Sequence, residues 1–428
     1  MRLNRETKKP SKAGALLVDR LSKFENYTIE LGKAYLERVF RPMPVGDDLA
    51  DSIEAGIESS YQEVRRLQKE LGLAEEVIAL GTPPNLDNSD LKDHWLSEGS
   101  RFEELNQYAL NTRGGKISVE MTTKEQNKVK FSFPEIPPWF ASLQINVQPE
   151  NREDLLSLAN IHTAFAGLCL APTVASPFFA KQALDKESRI GIYTQAWELG
   201  RVGFYGHIKS LQEYFAKTLL FAPALTEIIE GESVLDLPNL NQHANSIHPW
   251  NRIKTQEKAG KIVEWLEIRE TSAVPAAHDN AANVVLKLGL IFGLLVEMKA
   301  GVFTDLDLMQ HIESKQNELD FKAVATDGLE AKVIVPGFDR ALPLSQQSER
   351  FIQLCGKGLL YLGMDGEKTK RFLKSLKARL TSGITEADWM LKRKEKLEEL
   401  GVENVWEELI SELLQCAEGN IPVHEREI

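Results

Sequence analysis

The chain has 428 residues, of which 43% are hydrophobic and 27% charged, and a formal net charge of −12. That length supports one large or two ordinary cores, and the hydrophobic fraction excludes a disordered chain. The acidic balance argues against nucleic acid or an anionic membrane surface as the main partner.

In chain order, residues 1–14 are polar and basic, with Lys8, Lys9 and Lys12 around Pro10. They lack the apolar centre of a signal peptide and predict a mobile arm. Residues 15–39 mix helical spacing with one possible strand at 27–31, and Pro42 and Pro44 then break the chain. Val64, Leu67 and Leu71 share one side of a helix predicted over 60–73, and a short strand over 77–80 stops at Gly81-Thr82-Pro83-Pro84. Helical spacing returns over 102–110, and 112–138 reads as a loop or hairpin. A strand over 142–148 sets Leu143, Ile145 and Val147 on one face and Ser142, Gln144, Asn146 and Gln148 on the other. Helices are predicted over 152–170 and 211–229, with a polar loop at 236–246.

A second strand, over 263–270, has the same design. Leu266 and Ile268 point one way, and Glu267 and Arg269 point the other beside Trp265. A carboxylate and a guanidinium two residues apart on a strand face can hold a metal-bound phosphate between them. The bland alternative is a solvated sheet edge. Helical spacing then recurs over 280–298, 306–319, 347–362, 368–380 and 386–400. The apolar run 284–298 is interrupted by Lys287 and is too short to span a bilayer, so no membrane segment is expected. The three cysteines lie far apart without a CxxC and fit a reducing, cytoplasmic setting. Few strands scattered among helices, without a strict βα rhythm, predict an α+β fold. A single domain over 15–428 is expected, with a helical C-terminal part at 360–428.

Familiar catalytic signatures are absent. There is no GxxxxGK[ST] loop, no GxGxxG after a strand, no HExxH among the eight histidines, and no GxSxG around Ser176. What survives is the polar sheet face with Glu267, Arg269, Gln144 and Asn146.

Several short motifs nevertheless fall in a telling order: Leu80-Gly81-Thr82-Pro83-Pro84, Ser142-Leu143-Gln144-Ile145-Asn146, Ser176-Pro177, Glu187-Ser188-Arg189-Ile190, Trp250-Asn251-Arg252, Leu266-Glu267-Ile268-Arg269, and the stretch from Pro275 to Asn283. Together they resemble the glutamate–cysteine ligase type 2 group of carboxylate–amine ligases over roughly residues 50–400. The resemblance implies a glutamine synthetase-like curved antiparallel sheet with one polar active-site face. It also implies ATP-dependent amide formation through an acyl phosphate, with Mg2+ as the partner ion and glutamate and an amine as small-molecule substrates. A homodimer is compatible with it. Residue by residue, it implies Glu267 and Arg269 as catalytic groups, Arg189, Arg252, Gln144 and Asn146 as cofactor-binding groups, and Glu30, Glu58 and Glu267 as metal ligands. Asp279 reads instead as a helix N-cap, and Trp389 as core.

The chain also departs from the group. Where relatives open on a strand with Glu-x-Glu, Tyr27-Thr28-Ile29-Glu30-Leu31-Gly32 has one glutamate; Lys181-Gln182 stands for Gly-Arg, and Ala175 for asparagine. Fewer carboxylates weaken magnesium binding directly. Hence a second expectation, a non-catalytic relative that binds a small ligand or pairs with an active subunit.

Overall fold

The computed structural model describes residues 1–12, 17, 20–21, 26–197, 202–220, 243–244, 246–336 and 341–428. In chain order the described strands are β1 (Arg2–Asn4), β2 (Tyr27–Ile29), β3 (Leu36–Arg38), β4 (Glu75–Val77), β5 (Ile117–Thr122), β6 (Lys128–Phe133), β7 (Ile145–Val147), β8 (Phe178–Phe179), β9 (Gln182–Ala183), β10 (Asn251–Lys258), β11 (Lys261–Ile268), β12 (Lys332–Val333) and β13 (Leu342–Pro343). The helices are α1 (Leu49–Glu70), α2 (Ser100–Thr112), α3 (Arg152–Leu170), α4 (Ser188–Ala196), α5 (Leu211–Thr218), α6 (Ala277–Lys299), α7 (Asp305–Glu313), α8 (Gln316–Asp327), α9 (Ser348–Tyr361), α10 (Glu367–Ser382), α11 (Glu386–Glu399) and α12 (Val405–Glu418). The mixed class and the helical C-terminal part agree with the sequence reading. The predicted loop over 236–246 lies almost wholly outside the described residues.

Helix α6 is the axis of the core. It is apolar on nearly every face, and α1, α3, α9 and α10 pack around it. Its approach to α9 needs glycine: a Cβ on Gly293 would strike the Leu354 carbonyl, and one on Gly358 the Gly289 carbonyl. Helices α3 and α6 are long and apolar enough to cross a membrane, but both lie mostly inside the fold.

The sheet that carries Glu267 is antiparallel, in the order β10-β11-β7. β10 and β11 form a hairpin whose two-residue turn puts Ala259 and Gly260 at φ 52° and 73°. Positive φ at both central residues matches the right-handed twist of the flanking strands. Leu266 and Ile268 are fully buried on the helix-covered side, as their alternation predicts. The other described strands pair two by two, so the expected single curved sheet is represented among the described residues by a three-stranded sheet and separate two-stranded pairs. β10 escaped the sequence reading because Asn251–Lys258 is almost wholly polar.

Two sequence expectations are overturned. Residues 1–12 are not a free arm: β1 pairs with β4, Met1 and Leu3 join the core, and Arg2, 1% exposed, sits 3.6 Å from Glu75. Strand pairing and a buried ion pair outweigh the local basic composition. Asp279 is not an N-cap, because α6 starts two residues earlier. It accepts instead from Arg379 at 2.5 Å, from Arg426 at 3.3 Å and from the Val423 amide at 2.8 Å, fastening the C-terminal segment to the core.

Candidate functional site

The register of the three-stranded sheet builds the site. Arg252, Glu267 and Asn146 stand directly opposite one another on β10, β11 and β7. Two residues along, Lys254 faces Trp265. On the other side, Ile268 pairs with Ile145, but the Leu143 amide donates to the Thr271 carbonyl and Ser142 bridges Ser272. Arg269 and Glu270 therefore oppose the single residue Gln144, which is a β-bulge. Along the strand, Arg269 stays with Glu267, while Glu270 turns beneath the sheet.

Glu267 is surrounded by cations. Its Oε2 accepts from the Arg252 Nε and, at 2.8 Å, from the Arg269 guanidinium; its Oε1 accepts from the Lys254 ammonium at 3.2 Å. Its side chain is 2% exposed. Burial alone would raise this carboxyl, but Arg269, Arg252 and Lys254 outweigh it and hold the group well below the usual carboxylate range. Burial also lowers Lys254, despite Glu267. Three cations around one carboxylate leave a positive surplus at Glu267 itself, which two further carboxylates, Glu30 and Glu37, answer. Asn146 accepts from the Trp265 indole at 2.9 Å, and Gln144 leans on Ser142 at 3.5 Å.

A second carboxylate pair completes the surroundings. Burial, then the charge of Glu30, pushes the Glu37 carboxyl up to about 7, against the pull of Arg269 and Lys254. Glu37 belongs to β3, opposite Thr28 in the β2–β3 hairpin. The missing second glutamate of the Glu-x-Glu strand is thus answered from the neighbouring strand. Glu-x-Glu alternation is a local pattern, and a cross-hairpin pair leaves no such trace in sequence. Lys254 was missed for the same reason as β10.

The expected metal set of Glu30, Glu58 and Glu267 does not converge. Among the described residues no three Asp, Glu, His or Cys side chains gather to hold a metal. Glu58 lies on the face of α1 shared by Glu54 and Tyr61, of which Glu54 binds Arg371, His278 and Asn420. Glu267 already serves three cations. Magnesium, however, usually needs only one or two carboxylates beside substrate phosphates. Glu30 and Glu37, half-buried like charges acting on each other, fit that demand.

Arg189, expected at the cofactor, stands behind the sheet. It donates to the Glu270 carbonyl, to Ser272 Oγ at 3.2 Å and to Glu187 at 3.3 Å. Glu187 also accepts from Ser176 at 3.0 Å, from Ser272 at 2.5 Å and from the Ala175 amide at 2.9 Å. The Glu-Ser-Arg-Ile and Ser-Pro motifs are therefore a buttress that fixes the bulge. Gly81 seals it, since a Cβ there would collide with both serine hydroxyls.

The order of the motifs around this site resembles that of the carboxylate–amine ligase class. The chain's particular family follows from the sequence as a whole: residues 30–414 match the model of glutamate-cysteine ligase family 2, and the chain belongs to that family. No curated protein matches it in sequence. Among solved structures it is similar to the Pup ligase PafA of the prokaryotic ubiquitin-like modification pathway in complex with ADP. That likeness has 10% identity and a TM-score of 0.37, over 95% of this chain and 72% of the other.

Proposed function

We propose that the chain is an ATP-dependent ligase that activates a glutamate-like carboxylate as an acyl phosphate and joins it to an amine. The observation behind this reading is the cross-strand row of buried Arg252, buried Glu267 and exposed Asn146, with Lys254 and Arg269 closing on the same carboxylate. In the first step a carboxylate oxygen attacks the γ-phosphorus of ATP and ADP leaves. In the second, the amine nitrogen attacks the acyl carbon, phosphate leaves, and the nitrogen gives up a proton. Phosphoryl transfer of this kind depends mainly on positioning and charge neutralisation. Arg269 and Arg252 offer planar guanidinium forks to phosphate or carboxylate oxygens, and Lys254 adds a point charge. Glu267 holds the three cations together against their mutual repulsion. Glu30 and Glu37 would hold magnesium, which supplies further neutralisation of the phosphates when bound.

A second reading, a non-catalytic relative, is favoured by one observation: every oxygen of Glu267 is already engaged. The two readings separate by experiment. With ATP, magnesium, glutamate and a panel of amines, the ligase releases ADP, and Glu267→Gln abolishes the release. No turnover with any amine, together with no ATP binding by calorimetry, leaves the non-catalytic relative.

A further inference from the structure

A cavity of about 560 Å3 opens away from the sheet, between the end of α1, the β1–β4 pair and α12. Arg65, Gln68 and Lys69 line it from α1, Arg5 lines it beyond β1, and Glu418 lines it from α12. Its volume lies in the range of small-molecule sites. Two features distinguish it from an ordinary crevice. Gln68 is only 2% exposed, yet its amide nitrogen finds no hydrogen-bond acceptor. A buried donor left in that state bears its desolvation penalty uncompensated.

The second feature is charge. Of the lining carboxylates, Glu75 is answered by Arg2 at 3.6 Å and Ser11 at 2.6 Å, and Glu76 by Lys8 at 2.6 Å. The lining cations have no such answer. Arg5 reaches only the Glu75 carbonyl, at 3.5 Å, and Arg65 lies 5.6 Å from the Tyr61 ring. Lys69 forms no ion pair among the described residues. Arg5, Arg65 and Lys69 therefore outnumber the one unanswered carboxylate, Glu418.

We propose that this cavity is a binding site for a small organic oxyanion, whose oxygens take the Gln68 amide and the charges of Arg5, Arg65 and Lys69. The site is separate from the sheet face and does not depend on the activity proposed for it. A carboxylate and a phosphate group share the chemistry these donors recognise, so both serve as probes. Melting temperature is measured in chloride, glutarate and inorganic phosphate at matched ionic strength. The wild type melts higher in glutarate or phosphate than in chloride, and whichever anion gives the larger shift names the source. In the Arg269→Gln background, which weakens anion binding at the sheet face, Arg65→Gln/Lys69→Gln loses the shift. Gln68→Leu also loses it while melting no lower than wild type in chloride, because the variant removes an unsatisfied donor. Arg269→Gln keeps it. Equal melting in all three anions, a shift that survives both cavity variants, or one that vanishes only in Arg269→Gln would overturn the proposal.

Discussion

Glu267 and Glu270 lie three positions apart on one strand end, both buried and both ion-paired, yet they belong to different kinds of site. Glu267 meets groups that keep some access to water: the Lys254 side chain is 30% exposed and that of Arg269 is 15%. Glu270 meets Lys287 of α6 and, at 3.2 Å, His162 of α3, and all three side chains are sealed at 0%. An odd spacing along the strand already turns the two side chains to opposite faces. The difference teaches how to tell a working charge cluster from an architectural one. A cluster whose partners can be exchanged for a ligand needs a path to solvent, and the lower cluster has none.

The largest effect should come from breaking the lower cluster. Lys287→Met leaves Glu270 charged without its ammonium partner, and stability should fall by about 3–5 kcal/mol in urea unfolding. Glu270→Gln/Lys287→Met removes both charges and should recover most of that loss. If the single variant unfolds no more easily than wild type, the lower cluster is not architectural and the comparison fails.

Glu267→Gln should behave differently. Its cations can turn toward water, so the cost in stability should stay near 1–3 kcal/mol, while ADP release in the amine panel disappears. A stability loss as large as that of Lys287→Met would erase the distinction between the two glutamates. Gly81→Ala attacks the buttress behind the bulge. Overpacking against Ser176 and Ser272 should cost about 1–3 kcal/mol, and the ADP-release rate should fall because Arg189 no longer fixes the bulge.

Much of the upper face was legible in the sequence. The two-residue alternation of 263–270 and 142–148 placed Glu267, Arg269, Gln144 and Asn146 on one side, and periodicity alone licenses that inference. The cross-strand partners were less accessible. Arg252 was reached through motif order, whereas Lys254 and Glu37 lie on strands whose polar or short sequences give no periodic signal. Register, which is set by long-range pairing, brings them in. The lower cluster was half legible: Lys287 interrupts an apolar run, and a charge in such a place needs a partner. Which partner it has is a tertiary fact, set by the packing of α6 against the strand end that carries Glu270. Arg189 shows the converse limit, since motif matching assigned it to the ligand while the buttress uses it elsewhere.

The smallest effect at neutral pH, and the one that isolates Glu270, is expected in acid. Burial pushes the Glu270 carboxyl up, but Lys287 and His162 prevail and hold it below its ordinary value of 4.5. A depressed carboxyl adds stability that is fully present above the unfolded value and is lost as pH falls toward the folded one. In wild type, then, the melting temperature should decline below about pH 4.5, with Glu270 and Glu267 both contributing. In Glu270→Gln/Lys287→Met the part due to Glu270 is gone, so the acid decline should be shallower while stability at pH 7 stays near wild type. In Glu267→Gln the decline should also be shallower, but from a lower starting point, because three cations remain without their carboxylate. Parallel acid declines in wild type and the double variant would mean that Glu270 titrates normally, and that the sealed pair beneath the sheet does not hold its charge.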